Sequence, residues 1–316
     1  MRPRRTVALL AALLVGVAGL PPAASASGFN AVSPAAQARY GDRRLDELSF
    51  LTTHNAFANY ADARWISTNQ SQGLRTQLDN GVRGLMLDIH ERSGEAYLCH
   101  TSSTGCGMWP GINYALPRQP LTPALGQVVA FLASHPDEIV TVFFEDYVAA
   151  DVLRTALERT PGLADVLFRA ERWDVKRNGW PRATDLVASN QRLLLFSGRG
   201  GRQSFGVMYD WEYTAQNYWS LGTWGNQLAC TSRWGDVPLD RTEPGFRRLF
   251  VMSHFRDVPT AITAAIDNGD KLRSRIRQQC APAAGRNPNF VAVDFHELPL
   301  GGTRPASVVA DLNAGR

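Results

Sequence analysis

Six runs of the chain are apolar almost without interruption: 81–90 (GVRGLMLDIH), 96–100 (AYLCH), 138–147 (EIVTVFFEDY), 192–198 (RLLLFSG), 248–255 (RLFVMSHF) and 289–295 (NFVAVDF). The stretch 48–57 (LSFLTTHNAF) has the same character, and 205–211 (FGVMYDW) is a weaker member of the set. Helical patterns lie between them. In 121–136, Leu125, Val128, Val129 and Leu132 fall on one face and Pro136 stops the helix. Segments 150–162 and 259–280 read the same way. Strands that are apolar on both faces, alternating with helices, imply a parallel sheet covered by helices. Seven or eight of them with no linker predict a single α/β domain, a (β/α)8-type barrel. An open doubly wound sheet is the alternative, and no GxGxxG follows the first strand to support its dinucleotide-binding form.

The ends of these strands carry the chemistry. The first ends in His54-Asn55, the next in Asp88, the third in His100, the fourth in Glu145-Asp146, another near His254, and the last in Asp294. A lone Asp or His at a strand end is often only a cap or a loop contact. In a parallel barrel, however, all such ends meet on the face that carries catalytic loops. His90 and His135 gain nothing from this coincidence. Two histidines with several carboxylates suit metal-assisted hydrolysis or acid–base cleavage of a phosphodiester. There is no HExxH and no GxSxG, which argues against a zincin protease and a serine hydrolase.

Composition adds location. Arg2, Arg4 and Arg5 precede the apolar VALLAALLVGVAGL, and Ala24-Ser25-Ala26 reads as a cleavage site. Residues 1–26 are expected to be a secretory signal peptide, leaving residues 27–316 as one secreted domain. No later segment reaches the ~20 apolar residues of a membrane span. The 33 basic and 29 acidic residues form no basic stripe, so no nucleic-acid partner is expected, and a monomer is favoured. Four cysteines in an exported chain suggest two disulfides among three pairings. Cys99–Cys106, a local loop, with Cys230–Cys280 is the favoured one. No CxxC marks a zinc site. The aromatic stretch 209–227 suits either a lid or a surface that meets a membrane or a sugar ring.

LSFLTTHNAF, QLDNGVRGLMLDIH, YLCHTSSTGC, HPDEIVTVFFEDYV, WPRATDLVASNQRLLLFS and NFVAVDF occur in this order. Together they resemble the X-domain superfamily of phosphatidylinositol-specific phospholipases C, in particular its secreted PLC-like phosphodiesterase branch. The resemblance spans Leu48 to Phe295. It implies a distorted TIM-type barrel and a phosphodiesterase acting on a phosphodiester or phospholipid, with transient contact at a membrane surface. It places the general base on His54 and the general acid on His100. It implies calcium held by Asn55, Asp88 and Glu145, with Met86 where a further acidic ligand is expected. A thioether is a poor ligand for a hard cation; Glu91 and Asp146 are the neighbouring substitutes. Asp294 is expected to orient His54, and Arg83 to pair with a carboxylate of the barrel. Two alternatives stay open: a catalytically weak or inactive binding module of the same fold, and a hydrolase like the glycerophosphodiester phosphodiesterases.

Overall fold

Strand parity organises the molecule. The computed structural model describes residues 31–63, 68–100 and 119–316; the expected signal peptide and Cys106 lie outside them. Nine strands matter for the site: β1 (Phe50–Thr53), β2 (Gly84–Arg92), β3 (Glu95–Leu98), β4 (Val140–Tyr147), β5 (Leu193–Ser197), β6 (Val207–Tyr209), β7 (Thr214–Gln216), β8 (Leu249–His254) and β9 (Phe290–Val293). All but β3 pair in parallel, in the order β6-β5-β4-β2-β1-β9-β8-β7. This is the curled eight-stranded sheet of a distorted barrel. Among the described residues no ladder joins β6 to β7, so the ring is open at one seam. The short helix Asp210–Tyr213 links those two strands.

Alternate residues of each strand enter one of two cores, as the pleat requires. Leu51, Leu85, Leu87, Val142, Phe144, Leu195, Phe250, Met252 and Val291 pack outward with the helices. Phe50, Phe143, Leu194, Phe196, Met208, Val251 and Phe290 fill the interior. Phe143 and Phe290 stand on strands separated by two others, yet their rings meet edge-on at 4.9 Å; only a closed-up sheet allows that contact. Gly84 belongs to the inner set, and a Cβ there would lie 2.2 Å from Thr52 Oγ1 on the paired strand. Trp180 plugs the interior cluster, in contact with Phe168, Phe196, Tyr213 and Phe246. Arg83 pairs with Glu138 at 2.7 Å, just ahead of β4, at the end of the barrel away from the site.

Three expectations need correction. The run 96–100 is not a parallel barrel strand: β3 runs antiparallel to β2, with Ile89 opposite Leu98. The segment 259–280 is not one helix. It divides into Ala261–Asp267, Asp270–Arg275 and a π-turn Ile276–Cys280. The break falls at Asn268, whose amide donates to the carbonyls of Asp294 (2.7 Å) and Phe295 (3.2 Å) and so holds the end of β9. His254, expected at the mouth, has the parity of Phe250 and Met252 and faces outward. It is fully buried, with Nε2 2.9 Å from the Asp267 carbonyl and Nδ1 3.3 Å from Arg275. Burial and the Arg275 charge push its imidazole down to about 3.

Candidate active site

The same parity selects the inward-facing polar residues. His54 continues Phe50 and Thr52, Asp88 continues Gly84 and Met86, Glu145 continues Phe143, and Asp294 continues Phe290 and Ala292. A cavity of about 750 Å³ opens above the interior core, and His54, Met86, Asp88, His100 and Glu145 line it.

His54 is held on three sides. Its Nδ1 lies 3.0 Å from Asp294 Oδ1. Asn69 Nδ2 donates to the same oxygen at 3.0 Å. The ring stacks on Phe255 with centroids 3.6 Å apart. Gln70 Nε2 ties the backbone carbonyls of His54 and Val293 together at 2.9 and 3.0 Å. A carboxylate at Nδ1 fixes the proton there, which leaves Nε2 as the basic nitrogen. Asp294 is 2 % exposed, and its second oxygen is buried without a partner.

His100 reaches the mouth by overshoot. β2 runs past Asp88 to Arg92, turns at Ser93-Gly94, and β3 brings the chain back. Cys99 N–H then donates to the Asp88 carbonyl at 3.3 Å. His100 Nε2 stands 3.9 Å from Asp88 Oδ2, and its side chain is 61 % exposed. Lost hydration lowers its imidazole below the usual range, and the charge of His54 lowers it further. Cys99 is disulfide-bonded, which anchors the residue before His100.

Asp88 and Glu145 are direct partners in the β2–β4 register. Burial raises the Asp88 carboxyl well above its usual range, and the Glu145 charge adds to the effect. Glu145 Oε1 also accepts the Tyr147 hydroxyl, and burial with that carboxylate pushes the phenol up. Asn55 is buried, with positive φ, and is not in the cavity lining. Asp146 points outward, where both of its oxygens are committed to Ser197, Arg202 and the Val148 N–H. Glu91 accepts from the Ala149 N–H. Neither fills the position opposite Met86. Among the described residues no group of three His, Cys, Asp or Glu side chains forms a metal cluster. The donor set is two facing carboxylates, with which no Lys or Arg among the described residues pairs. Hard oxygens of this kind suit a hard cation with few protein ligands.

The PI-PLC X model (PI-PLC X 1) matches residues 40–304. The chain belongs to the PI-PLC X family. It is 32 % identical over 267 residues to a PI-PLC X domain-containing protein of Arabidopsis thaliana, covering 82 % of this chain and 60 % of the relative. It is 29 % identical over 161 residues to PI-PLC X domain-containing protein 1 of Arthroderma benhamiae, covering 50 % of this chain and 48 % of the relative. The chain thus spans only about half to three-fifths of these relatives' length. The phosphatidylinositol-specific phospholipase C of Staphylococcus aureus shares the fold, with a TM-score of 0.57 at 13 % identity over 88 % of this chain and 96 % of that one.

In this PI-PLC X domain the sequence reading missed Asn69, Gln70 and Phe255, which shape His54, and Asp210, Gln216 and Arg233, which line the cavity. Asn69-Gln70 sits in a polar loop with no periodic signal. Asp210 was detectable as the residue after β6. Gln216 ends β7, a three-residue strand inside the aromatic stretch 209–227, whose composition suits a lid or a surface and hides the strand. Cys230–Cys280 is bonded as expected, across 50 residues.

Proposed function

We propose that the protein is a secreted phosphodiesterase that cleaves a phosphoinositide or a related phosphodiester by paired-histidine catalysis. The observation that carries this reading is the His54–Asp294–Asn69 arrangement, which leaves His54 Nε2 basic in the same cavity as His100. His54 takes the proton of the attacking hydroxyl as the new P–O bond forms. His100, in its protonated form, gives a proton to the leaving alkoxide as the old P–O bond breaks. Asp294 holds the His54 tautomer. Calcium, if bound by Asp88 and Glu145, would offset negative charge developing on the phosphoryl oxygens. Met86 leaves that set one carboxylate short.

Export is supported by the leader-like residues 1–26, by the absence of free cysteines among the described residues and by a relative of Arthroderma benhamiae named an uncharacterized secreted protein. Among the described residues no helix is long and apolar enough to cross a membrane. Trp219 lines the cavity while remaining partly exposed. Trp224 and Val258 are exposed on the loops that follow β7 and β8, and Ile262 and Ile266 on the helix Ala261–Asp267. That rim suits contact with a lipid surface. The test is a product assay on phosphatidylinositol vesicles, with calcium and then with chelator, for the wild type, His54→Ala and His100→Ala. Strong loss in both variants with the fold intact is expected; near-wild-type turnover in either would refute the assignment. A second reading, a binding module with decayed catalysis, is favoured by Met86, and calcium-dependent vesicle binding without product would select it.

A further inference from the structure

The two strands that carry His54 and Asp294 part in the same way. Their ladder runs to Thr53 opposite Val293, and the His54 N–H still donates to the Val293 carbonyl at 3.0 Å. The next rung of a parallel ladder would take the Phe295 N–H to the His54 carbonyl. Two bonds to the loop at 69–70 replace it. The Phe295 N–H donates to the Asn69 carbonyl at 2.8 Å, and Gln70 Nε2 donates to the His54 carbonyl at 2.9 Å. Both chains turn left-handed at this point, Asn55 with φ 42° and Phe295 with φ 45°. Asparagine tolerates that region. A bulky phenylalanine there is strained and persists only where its surroundings hold it.

One side chain grips both turns. Gln70 is fully buried. Its Nε2 holds the peptide before Asn55 and, through the Val293 carbonyl at 3.0 Å, the peptide before Asp294. Its Oε1 accepts the His296 N–H at 3.3 Å, in the peptide after Phe295. Two carbonyls at one end and an N–H at the other admit a single orientation of the amide. Between the parted strands stands Asn69 Nδ2, 3.0 Å from Asp294 Oδ1 and 3.3 Å from His54 Nδ1. The sheet does not require this device. An unbroken rung would satisfy the His54 carbonyl and the Phe295 N–H with each other, and no glutamine would be needed.

We infer that Gln70 is a positioning residue: it wedges the ends of β1 and β9 apart and thereby sets the contact between His54 and Asp294. This rests on the phosphodiesterase reading above, in which that contact orients the base. The wedge acts on backbone peptides one bond away from each of the two side chains, so its loss would move both. A misplacement of about 1 Å can cost a reaction about a hundredfold in rate.

The experiment follows the His54 Nδ1 proton by NMR in the whole protein, isotope-labelled at its histidine nitrogens. A proton held by a buried carboxylate resonates far downfield and exchanges slowly, and His54→Ala assigns it by its disappearance. Gln70→Met keeps the bulk of the side chain and removes both ends of the amide. The signal should be lost, and kcat on phosphatidylinositol should fall about a hundredfold with little change in KM. In Gln70→Glu an ionised carboxylate would face two carbonyl oxygens, whereas its neutral acid supplies one O–H donor and one acceptor. The signal should therefore be present at acid pH and vanish as the new carboxyl ionises. A merely structural glutamine would lower the melting temperature without this reversible change. Thermal melts establish that the variants fold; if Gln70→Met does not, the two pH arms of Gln70→Glu decide. The role is overturned by the absence of the signal in the wild type, by a folded Gln70→Met that keeps the signal or the wild-type rate, or by a Gln70→Glu signal indifferent to pH. Failure of both variants to fold makes Gln70 a determinant of the fold and overturns it as well. A wild type that cleaves nothing, while Gln70→Met still loses the signal, keeps the wedge and sinks the enzymatic reading instead.

Discussion

Replacing Asp294 with asparagine should cost less than a triad-like arrangement suggests, and the reason is Asn69. Asp294 Oδ1 accepts both from His54 Nδ1 and from Asn69 Nδ2, each at 3.0 Å. An asparagine at 294 must point either its oxygen or its amino group at this spot. The Asn69 backbone is held at both ends, its N–H by the Ala58 carbonyl and its carbonyl by the Phe295 N–H, each at 2.8 Å, and its side chain presents Nδ2 to this spot, so it selects the oxygen. The His54 tautomer then survives, and only the charge is lost. A hydrogen bond to a charged group contributes about 1.5–3 kcal/mol and a neutral one about 0.5–1.5. The difference, about 1–2 kcal/mol, corresponds to roughly a 5- to 30-fold loss in kcat. In Asp294→Asn/Asn69→Leu nothing selects the oxygen. The amide turns, donates to Nδ1 and forces the proton onto Nε2, removing the base. The double variant should therefore lose far more than the product of the single losses, a coupling that a double-mutant cycle reads directly. Initial rates on phosphatidylinositol give kcat for all four proteins. Additive losses, or a single Asp294→Asn variant slower than the wild type by a factor above about a thousand, would refute the orientation argument.

Three further outcomes follow from the same geometry. In chelator, the raised Asp88 carboxyl means that the folded protein holds a proton the unfolded chain releases; stability should fall as pH rises from the ordinary aspartate range through the raised folded value, and Asp88→Asn should flatten that slope in urea melts. Met86→Glu adds a third hard ligand beside Asp88 and Glu145 and should tighten calcium binding by calorimetry, while Asp88→Asn should abolish it; no calcium binding in any of the three proteins would mean that the carboxylates serve the histidines directly. Gly84→Ala drives a methyl to 2.2 Å from Thr52 Oγ1 between paired strands and should cost about 1–3 kcal/mol, read as a lowered melting temperature; an unchanged melt would show that β1 and β2 can separate at no cost.

Much of this was legible before the fold was known, because period-2 parity carries the information. Thr52 to His54, Met86 to Asp88, Phe143 to Glu145 and Ala292 to Asp294 each step from the interior core to its mouth in two residues. The same rule, applied to β8, would have sent His254 outward with Phe250 and Met252. Looking only at strand ends put it at the mouth. His100 was found for a reason the sequence did not contain, since it arrives by a hairpin that returns over the rim. Asn69 and Gln70 were illegible because their roles depend on β9, more than 220 residues away, and a polar loop has no periodicity to betray such a contact. The helix break at Asn268 has the same origin: a local helical pattern yields to a distant need, the carbonyls of Asp294 and Phe295.

The site has two sides, built to different standards. On the proton side every group that sets His54 is fixed: Asp294 by Asn69 and Asn268, Asn69 by Phe295, and the ring by Phe255. Rigid, cross-supported groups of this kind lose stability when any one is removed, which resists gradual drift. On the charge side, Asp88 and Glu145 are direct partners in register, no Lys or Arg among the described residues pairs with either, and Met86 lines the cavity beside them. Carboxylates in that position raise each other's proton affinity, so the arrangement is a net cost to the folded chain until a cation or a proton arrives. A protein drifting toward a mere binding role would shed such a cost first, by neutralising one carboxylate. Both remain. The retained pair therefore favours a site that still uses charge at the barrel mouth.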